Sequence, residues 1–323
     1  MKAVYVLLFG ALLPLSAQVK ITQGSDRIIV DIDGKPFTEF FISSAMPKPF
    51  LHPLRAASGK IVTRRFPMEA VEGEARDHPH HRGAWFTHGD VNGYDFWANE
   101  PSQKGVGKGK GKIAVRKIGD LTSGKKSGAV EVLFDWEYPN GKPILTETRR
   151  MIFYSQPALR TIDFDITLRA LDEPVRFGDT KEGTFAIRLA SELEEPGPKS
   201  IAEPRRTGKM VSSTGKTGEK EIWGTRAEWV DYSGQIEGEK LGVAIFDHPA
   251  NPKHPTYWHA RGYGLFAANI FGVHDFTHGK GGDGSVTLDP GASLRFRYRV
   301  LIHPGDAESA GLAAQYRKYA GLR

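Results

Sequence analysis

Hydrophobic and polar residues alternate with a period of two along much of the chain, a pattern typical of β-strands that bury one face. Residues 160–169 read RTIDFDITLR, in which Ile, Phe and Leu alternate with Asp and Thr. Residues 294–303 read LRFRYRVLIH and repeat the pattern with arginines on the polar side. Alternation of similar quality predicts further strands at residues 27–32, 129–138, 144–154, 183–189, 227–232 and 241–246.

The connections and the end of the chain indicate how these strands are assembled. An Asn-Gly turn at Asn140 joins two of them as a hairpin. Asp306 is a candidate N-cap for a helix whose apolar stripe would be Leu312, Ala313, Tyr316 and Ala320. We therefore predict an all-β fold, a large two-sheet antiparallel β-sandwich braced by a C-terminal helix. Since no repeat or linker divides the chain, residues 18–323 are expected to form one domain.

The first residues have the layout of a secretory signal peptide. Lys2 is followed by an apolar run at residues 3–13 and then by the small residues Ser16 and Ala17. That run is too short for a stable membrane span. We expect residues 1–17 to be removed by cleavage near Ala17. The rest of the chain would then be exported to the periplasm or the extracellular space, without stable membrane insertion.

Composition narrows the chemistry that the chain can perform. It contains no cysteine, which excludes disulfides and a thiolate nucleophile and leaves His and carboxylates as the metal ligands. Lys and Arg outnumber Asp and Glu by 44 to 38, but the basic residues are scattered. Together with export, this scatter argues against a nucleic-acid partner and leaves a weak preference for an anionic ligand.

One segment of low complexity, residues 104–112, reads KGVGKGKGK. Glycines at this density favour a flexible backbone, and lysines favour contact with water. The segment is predicted to be a mobile surface loop. The alternative is a basic flap over an anionic ligand.

Nine of the eleven histidines lie in two windows, residues 76–90 and residues 247–278. They are either hydrogen-bonded fillers of long loops or, if the windows meet in a cleft, part of a functional site. Because imidazole titrates near neutral pH, His80, His81 and His88 are candidate catalytic residues. Candidate substrate-binding residues in the same windows are His78, Arg82, Asp90, His248, His254 and His259.

The first window also raises the possibility of a metal. If the segment around Pro79 is extended, His78 and His80 point to one side and His81 to the other. His-x-His spacing is a workable metal pair, and His254 is a candidate third ligand. The spacing matches no tight zinc motif. We therefore predict no firm cofactor and keep a divalent metal as an open alternative.

Two further segments carry candidate chemistry. In FGDTKEGTFAIR, residues 177–188, Glu182 beside a cation is a candidate general base, with Asp179 and Lys181 as substrate-binding groups. The alternative is an exposed ion pair of little energetic value. In WGTRAEWVDYSG, residues 223–234, Arg226 and Tyr232 suit a sugar ring and its hydroxyls, whereas the two tryptophans are predicted to be core residues.

Five ordered motifs resemble a family of secreted bacterial proteins labelled PmoA or methane-oxygenase-like. They are DHPHHRGAWFTHGDVNGYDFW, FGDTKEG, WVDYSG, VAIFDHPANPKHPTYWHARGYGLFAANIFG and the Arg-rich last strand. A membrane monooxygenase subunit needs several apolar spans, which this chain lacks after its first residues. The resemblance instead implies a galactose-mutarotase-like supersandwich, in which histidines and a carboxylate on the concave face transfer protons on a sugar. His80, His81 and Glu182 would occupy those positions.

Three functional hypotheses follow. The first is an exported carbohydrate-active enzyme, a lyase or hydrolase, with a His-rich concave site. Its ligand would be a carbohydrate or glycan, either neutral or anionic. The second is a carbohydrate-binding protein that does not turn its ligand over. The third is a His-ligated metal oxidoreductase, which ranks last.

Overall fold

The structure is a computed structural model that describes residues 18–197 and 206–322. The predicted signal peptide lies outside the described residues. Within these ranges no helix is long and apolar enough to cross a membrane.

The first of two large sheets has eight antiparallel strands, which we number in chain order. In spatial order they are β1 (Val19–Gln23), β2 (Arg27–Ile32), β3 (Lys35–Phe41), β4 (Phe50–His52), β5 (Ala84–His88), β11 (Gly183–Arg188), β16 (Leu265–Asn269) and β15 (Tyr257–Arg261). The strands at one end of this sheet come from widely separated parts of the chain, so long connections cross over it.

The second sheet also has eight antiparallel strands. They are β12 (Lys209–Ser212), β13 (Trp229–Ile236), β14 (Glu239–Asp247), β18 (Ser293–Pro304), β9 (Arg160–Ala170), β8 (Pro143–Ser155), β7 (Ser127–Glu137) and β6 (Lys112–Thr122). The remaining elements are the short pair β10 (Val175–Phe177) and β17 (Val286–Leu288), the 3₁₀ turn Ser191–Leu193, and the helices α1 (Gly218–Ile222), α2 (Val273–Phe276) and α3 (Leu312–Ala320).

The two sheets pack face to face over one hydrophobic cluster. Phe86 of β5 contacts Trp136 of β7 and Phe296 of β18 across the interface, with ring centroids 6.3 and 5.5 Å apart. The strict alternation of buried and half-buried residues in β7 shows why the period-two pattern forms this layer. The predicted all-β two-sheet sandwich is confirmed, and so are the eight strands predicted from alternation.

The first sheet is buried on both faces around β5, where all five residues are buried. Its inner face carries Phe86 and Phe185 into the core between the sheets. Its outer face carries Trp85, which packs with Trp97 and Phe50 under the loops that cross the sheet. β5 and β16 are buried along their whole length and were not predicted, although β11, which is equally buried, was.

The C-terminal helix is present but begins later than predicted. It starts at Leu312, after Gly311 with a φ of 62°, and Asp306 instead accepts a hydrogen bond from the Ser309 N–H in the preceding turn. Ala313 is exposed, so that part of the predicted stripe is wrong. The buried face is Leu312, Tyr316 and Tyr319, which packs on the outer face of the second sheet and braces it as expected.

The Gly-Lys segment is packed against its neighbours. Lys110 Nζ donates to the Glu100 carbonyl at 2.7 Å, and Lys108 Nζ donates to the Asn92 carbonyl at 3.1 Å. Gly107 lies so close to Gly93 that an added Cβ would come within 2.4 Å of its carbonyl oxygen. The glycines here allow close backbone approach. Residues 104–108 are exposed, as predicted for a surface loop, and the mobility of the loop stays a prediction.

Candidate functional site

The outer face of the first sheet forms the floor of the candidate site. Trp85, Ala186, Ala267 and His259 are register partners across β5, β11, β16 and β15, so their side chains share this face. Both alanines are fully buried. Side chains from the crossing loops, chiefly residues 76–81 and Tyr263, lie beside this row.

His78 is the most exposed histidine of the cluster and is held in a fixed orientation. Its Nδ1 lies 2.6 Å from Asp77 Oδ2, and its side chain is 41% exposed. Its ring stacks on His81 at 4.7 Å and on Tyr263 at 5.5 Å, with interplanar angles of 5° and 12°. The φ of His78 is 43°, a conformation that costs free energy in a residue with a side chain and is concentrated at functional sites.

Asp77 is fixed in turn by two buried guanidinium groups. Arg64 Nη1 lies 2.6 Å and Arg188 Nη2 lies 3.2 Å from Asp77 Oδ1, and both arginine side chains are fully buried. Burial raises the pKa of the Asp77 carboxyl, but the His78 hydrogen bond and the charges of Arg188 and Arg64 outweigh it and hold that pKa well below its usual range. Asp77 therefore stays ionised beside His78.

His80 and His81 lie behind His78 and are buried. His81 Nδ1 lies 3.2 Å from Arg188 Nη1, and His80 Nδ1 lies 2.8 Å from Gln103 Nε2. Burial lowers the pKa of His80 to about 2 and that of His81 well below its usual value, so both rings are neutral. The segment is a turn closed by the His81 N–H on the His78 carbonyl, so the predicted extended segment with rings on opposite sides is wrong.

The second half of the site is built on the start of β11 and on β15. Glu182 Oε1 lies 3.2 Å from Lys181 Nζ, and the Glu182 side chain is 36% exposed. The Lys181 carbonyl accepts a hydrogen bond from His259 Nδ1 at 2.9 Å. Burial lowers the pKa of His259 to about 3, helped by the charges of Arg261 and Lys181. His259 is thus neutral, and its Nε2 is buried without a partner.

Tyr263 connects the two halves. It stacks on His78, and the Arg188 guanidinium lies 4.6 Å from its ring centroid. Burial raises the pKa of its hydroxyl, the charges of Arg188 and Arg261 oppose this, and the charges of Glu182 and Asp77 add to it. Tyr263 therefore contacts both the His78 ring and the guanidinium group that holds Asp77.

Some of the buried polar atoms that have no hydrogen-bond partner lie around this site, and others lie elsewhere in the described residues. Those around the site are Trp85 Nε1, Trp97 Nε1, Arg188 Nε, Arg261 Nε and His259 Nε2. Each such atom costs about 1–3 kcal/mol of folding free energy. These five atoms therefore have unused hydrogen-bonding capacity.

The cations of the site are paired with carboxylates. Arg64 and Arg188 both face Asp77, Lys181 faces Glu182, and Arg261 Nη1 lies 2.8 Å from Glu219 Oε1. Each of these four cations therefore already lies next to a carboxylate. This arrangement favours a neutral, hydroxyl-rich ligand over an anionic one.

A family model matches residues 27–317 under the description "Family of unknown function (DUF6807)". The chain belongs to the DUF6807 family. A search of the curated proteins found no match. The PmoA-like family expected from the motifs is not supported by any of these comparisons.

Solved structures similar to this DUF6807 protein include carbohydrate-related proteins. The galactosidase domain of an α-galactosidase-sucrose kinase has 7% identity and a TM-score of 0.44, covering 88% of this chain and 42% of its own. An α-galactosidase from Geobacillus stearothermophilus has 10% identity and a TM-score of 0.40, covering 90% and 40%. A galactose mutarotase-like protein from Clostridium acetobutylicum has 13% identity and a TM-score of 0.42, covering 88% and 98%. The chain thus spans less than half of either galactosidase chain.

The DUF6807 structure places several predicted site residues away from this face. His88 points to the inner face, where its Nε2 lies 2.8 Å from the Gly178 carbonyl and its ring contacts Phe271. Tyr232 is fully buried in the core, with its hydroxyl donating to the Arg261 carbonyl. Neither side chain can contact a ligand on the outer face.

Three other predicted site residues form hydrogen bonds within the protein. Arg82 makes two hydrogen bonds to the buried Glu100 carboxylate at 2.8 and 2.7 Å. Arg226 donates to the carbonyls of Pro255 and Lys253, both at 2.7 Å. Asp179 accepts the backbone N–H groups of His274 and Gly284. These contacts join loops and leave little capacity for a substrate.

The second histidine window is divided. His259 reaches the site, whereas His248 and His254 contact the region of α3. His248 Nε2 lies 2.9 Å from the Leu322 carbonyl, and His254 Nδ1 lies 2.7 Å from Asp247 Oδ2. His254 therefore does not join His78 and His80 as a third metal ligand. Within residues 18–197 and 206–322, no group of three His, Asp or Glu side chains is arranged to hold a metal.

Some residues of the site were missed from the sequence. Asp77 adjoins His78, and this adjacency was a usable signal. Arg64 and Tyr263 carried none, because only folding brings them to Asp77 and His78. Lys48 was also missed: it is buried, donates to the Trp97 carbonyl and Asn99 Oδ1 at 2.8 and 2.7 Å, and burial lowers its pKa to about 7.

The two tryptophans predicted as core residues on one strand differ in their surroundings. Trp229 is buried in β13, on the face covered by α3. Trp223 is half-buried at the end of α1, where the Arg261 guanidinium lies 5.5 Å from its ring. Only Trp229 fits the prediction.

Proposed function

We propose that this DUF6807 protein is an exported enzyme that acts on a neutral sugar or glycan by acid–base catalysis, with His78 and Glu182 as the proton-transferring groups. The observation that carries the proposal is the state of His78. It is an exposed imidazole whose Nδ1 is bound by an ionised Asp77, in a strained backbone conformation that the surrounding contacts maintain.

The Asp77–His78 pair suits a general base or acid. With Nδ1–H donated to Asp77, Nε2 is the nitrogen that can take up a proton from a substrate hydroxyl or carbon. The imidazolium that forms is stabilised by the adjacent carboxylate, which Arg64 and Arg188 keep ionised and in place. Stacking on His81 and Tyr263 restrains the plane of the ring.

Glu182 supplies the second group. Its half-exposed carboxylate can bind a hydroxyl or exchange a proton with it, and Lys181 Nζ at 3.2 Å can donate to a developing negative charge. Elimination and hydrolysis both require an acid and a base on one substrate. The proposal therefore covers lyase and hydrolase chemistry alike.

A sugar-binding protein without turnover is the second candidate. It is favoured by the neutral state of the buried imidazoles, since the pKa of His80 is lowered to about 2 and that of His259 to about 3. Such rings serve as hydrogen-bond acceptors near neutral pH and transfer no proton there. The structure thus favours His78 over His80 and His81 as the proton-transferring histidine.

A screen of neutral oligosaccharides separates these candidates. Purified protein is incubated with each glycan, products are detected by mass spectrometry, and binding is measured by calorimetry. For a glycan that is turned over, we expect His78→Gln and Glu182→Gln each to lower kcat by about 10²–10⁴-fold with a smaller change in affinity. Glu173→Gln, an exposed carboxylate paired with Lys142, is the matched control.

Two results would contradict the proposal that the protein is an enzyme. Binding without any product, weakened by His78→Gln only in affinity, would establish the second candidate. An equal loss of rate in Glu173→Gln would show that the effect is not specific to the site.

A further inference from the structure

Two pockets adjoin each other beside the candidate site. One, of about 200 Å³, is lined by Glu182, Thr180, Asp90 and Asp95 among others. The second, of about 530 Å³, continues from it toward Tyr138. Both are lined by Asp90 and Gly93, so they form one groove that leads away from Glu182.

The outer pocket combines aromatic rings with amide and hydroxyl groups. Tyr94 and Tyr138 pack edge to face, with ring centroids 4.9 Å apart, and both are half-buried. Asn92 Nδ2 donates to the Tyr138 hydroxyl at 3.2 Å. Rings of this kind contact the C–H face of a sugar while adjacent polar groups bind its hydroxyls.

The charged groups of the outer pocket are loosely paired. Arg176 is 50% exposed, and its guanidinium nitrogens lie 3.8 Å from Asp90 and 3.8 Å from Asp283. Distances of this length leave hydrogen-bonding capacity on both partners. Arg176 and Asp90 can therefore bind ligand hydroxyls without breaking a strong ion pair.

The Gly-Lys segment, residues 104–112, forms a wall of this groove. Gly107 packs on Gly93, and Lys108 Nζ lies 5.9 Å from the Tyr94 ring centroid. Val106, which lines the inner pocket, is 61% exposed. Among the described residues, Val106 and Leu322 are the large hydrophobic side chains that remain exposed. Val106 thus presents an apolar contact at the rim.

We infer that this groove binds further sugar units beyond the one that reaches Glu182, so that the substrate is an oligosaccharide or a glycan chain. The inference rests on the proposed function. It adds an outer subsite formed by Tyr94, Lys108, Tyr138 and Arg176, and it assigns the Gly-Lys segment the role of a wall for that subsite.

The test uses an array of neutral glycans from one to six units, followed by calorimetry with the glycans that bind. We expect affinity to rise about tenfold or more between the monosaccharide and a longer glycan of the same sugar. The double variant Lys108→Gln/Arg176→Gln, in the outer pocket, should weaken the longer glycan at least about fivefold and leave the monosaccharide within about twofold. The double variant Lys240→Gln/Arg295→Gln changes the same residue types at exposed positions outside the groove and should leave both affinities unchanged.

The outcomes are distinguishable. If the monosaccharide and longer glycans bind equally and the groove variant has no effect, the outer subsite is overturned while the proposed function stands. If the wild-type protein binds no glycan on the array, the proposed function is overturned and the subsite with it.

Discussion

The two histidine windows each contain an Asp–His pair of nearly equal geometry, and the pairs differ in their surroundings. His78 Nδ1 lies 2.6 Å from Asp77, and His254 Nδ1 lies 2.7 Å from Asp247. The His78 side chain is 41% exposed, whereas His254 is 17% exposed and Asp247 is fully buried.

The difference lies in the second ring nitrogen and in the groups behind the carboxylate. His254 Nε2 lies 3.5 Å from the Tyr316 hydroxyl of α3, so both ring nitrogens face the protein. Asp247 also accepts hydrogen bonds from the Thr256 N–H and the Asn251 side-chain amide, so it links parts of this loop to the end of β14. Asp77 is held by two guanidinium groups instead, and His78 keeps one nitrogen for a ligand. An Asp–His pair alone therefore does not indicate catalysis.

The largest expected difference between the pairs is in rate. Asp77→Asn removes the negative charge that stabilises a protonated His78, and kcat on the glycan found by screening should fall about 10²–10⁴-fold. Asp247→Asn makes the same change in the second pair and should leave kcat within about twofold. Steady-state kinetics of both folded variants measure this, and similar losses in the two would abolish the distinction.

The second-largest expected effect is on stability and concerns the buried arginines that contact Asp77. Arg188→Met removes a fully buried charge and leaves Asp77 and the buried Glu194 with one partner fewer. The free energy of unfolding should fall by about 3–5 kcal/mol. Arg226→Met, at an exposed guanidinium, should cost no more than about 1 kcal/mol. Urea denaturation of both variants tests this, and equal costs would show that the buried network carries no special weight.

Replacing each histidine by alanine should destabilise the protein more at His254 than at His78, which is the reverse of the order expected for kcat. His254→Ala leaves the buried Asp247 without one of its donors and should cost about 1–3 kcal/mol of unfolding free energy. His78→Ala should cost less than about 1 kcal/mol, because Asp77 is partly exposed and keeps both arginines. Thermal and urea unfolding give the comparison. A larger loss for His78→Ala would mean that the first pair is structural.

The smallest effect is the pH dependence contributed by one buried ring. The folded-state pKa of His259 is lowered from 6.5 to about 3, so the unfolded chain binds the proton first as pH falls. Its contribution to stability is present above about pH 6.5 and is lost as pH falls below that value, by up to about 1.4 kcal/mol per pH unit. His259→Gln should reduce the slope of unfolding free energy against pH by about one proton between pH 6 and 4. An unchanged slope would show that His259 is protonated in the folded protein.

The clearest predictions from sequence concern strands in which one face meets water. Strand β7 of the second sheet alternates strictly, and β8, β9 and β18 alternate over part of their length, because the polar face is solvated while the apolar face enters the core. In the first sheet the loops cover the outer face, so β5 and β16 are buried along their whole length. Their sequences cannot be distinguished from other buried segments by periodicity.

For the candidate site, the sequence determined which titratable residues are available and one contact between them. It determined that histidines are concentrated in two windows and that Asp77 adjoins His78, since neighbours in sequence are neighbours in space. Which histidines converge was decided by the tertiary structure alone. Strand register brings His259 to the row that holds Trp85, and burial brings Arg64 and Arg188 behind Asp77. Arg64 and Arg188 lie 13 and 111 positions from Asp77 in the chain, and local patterns carry no information about pairings at such separations.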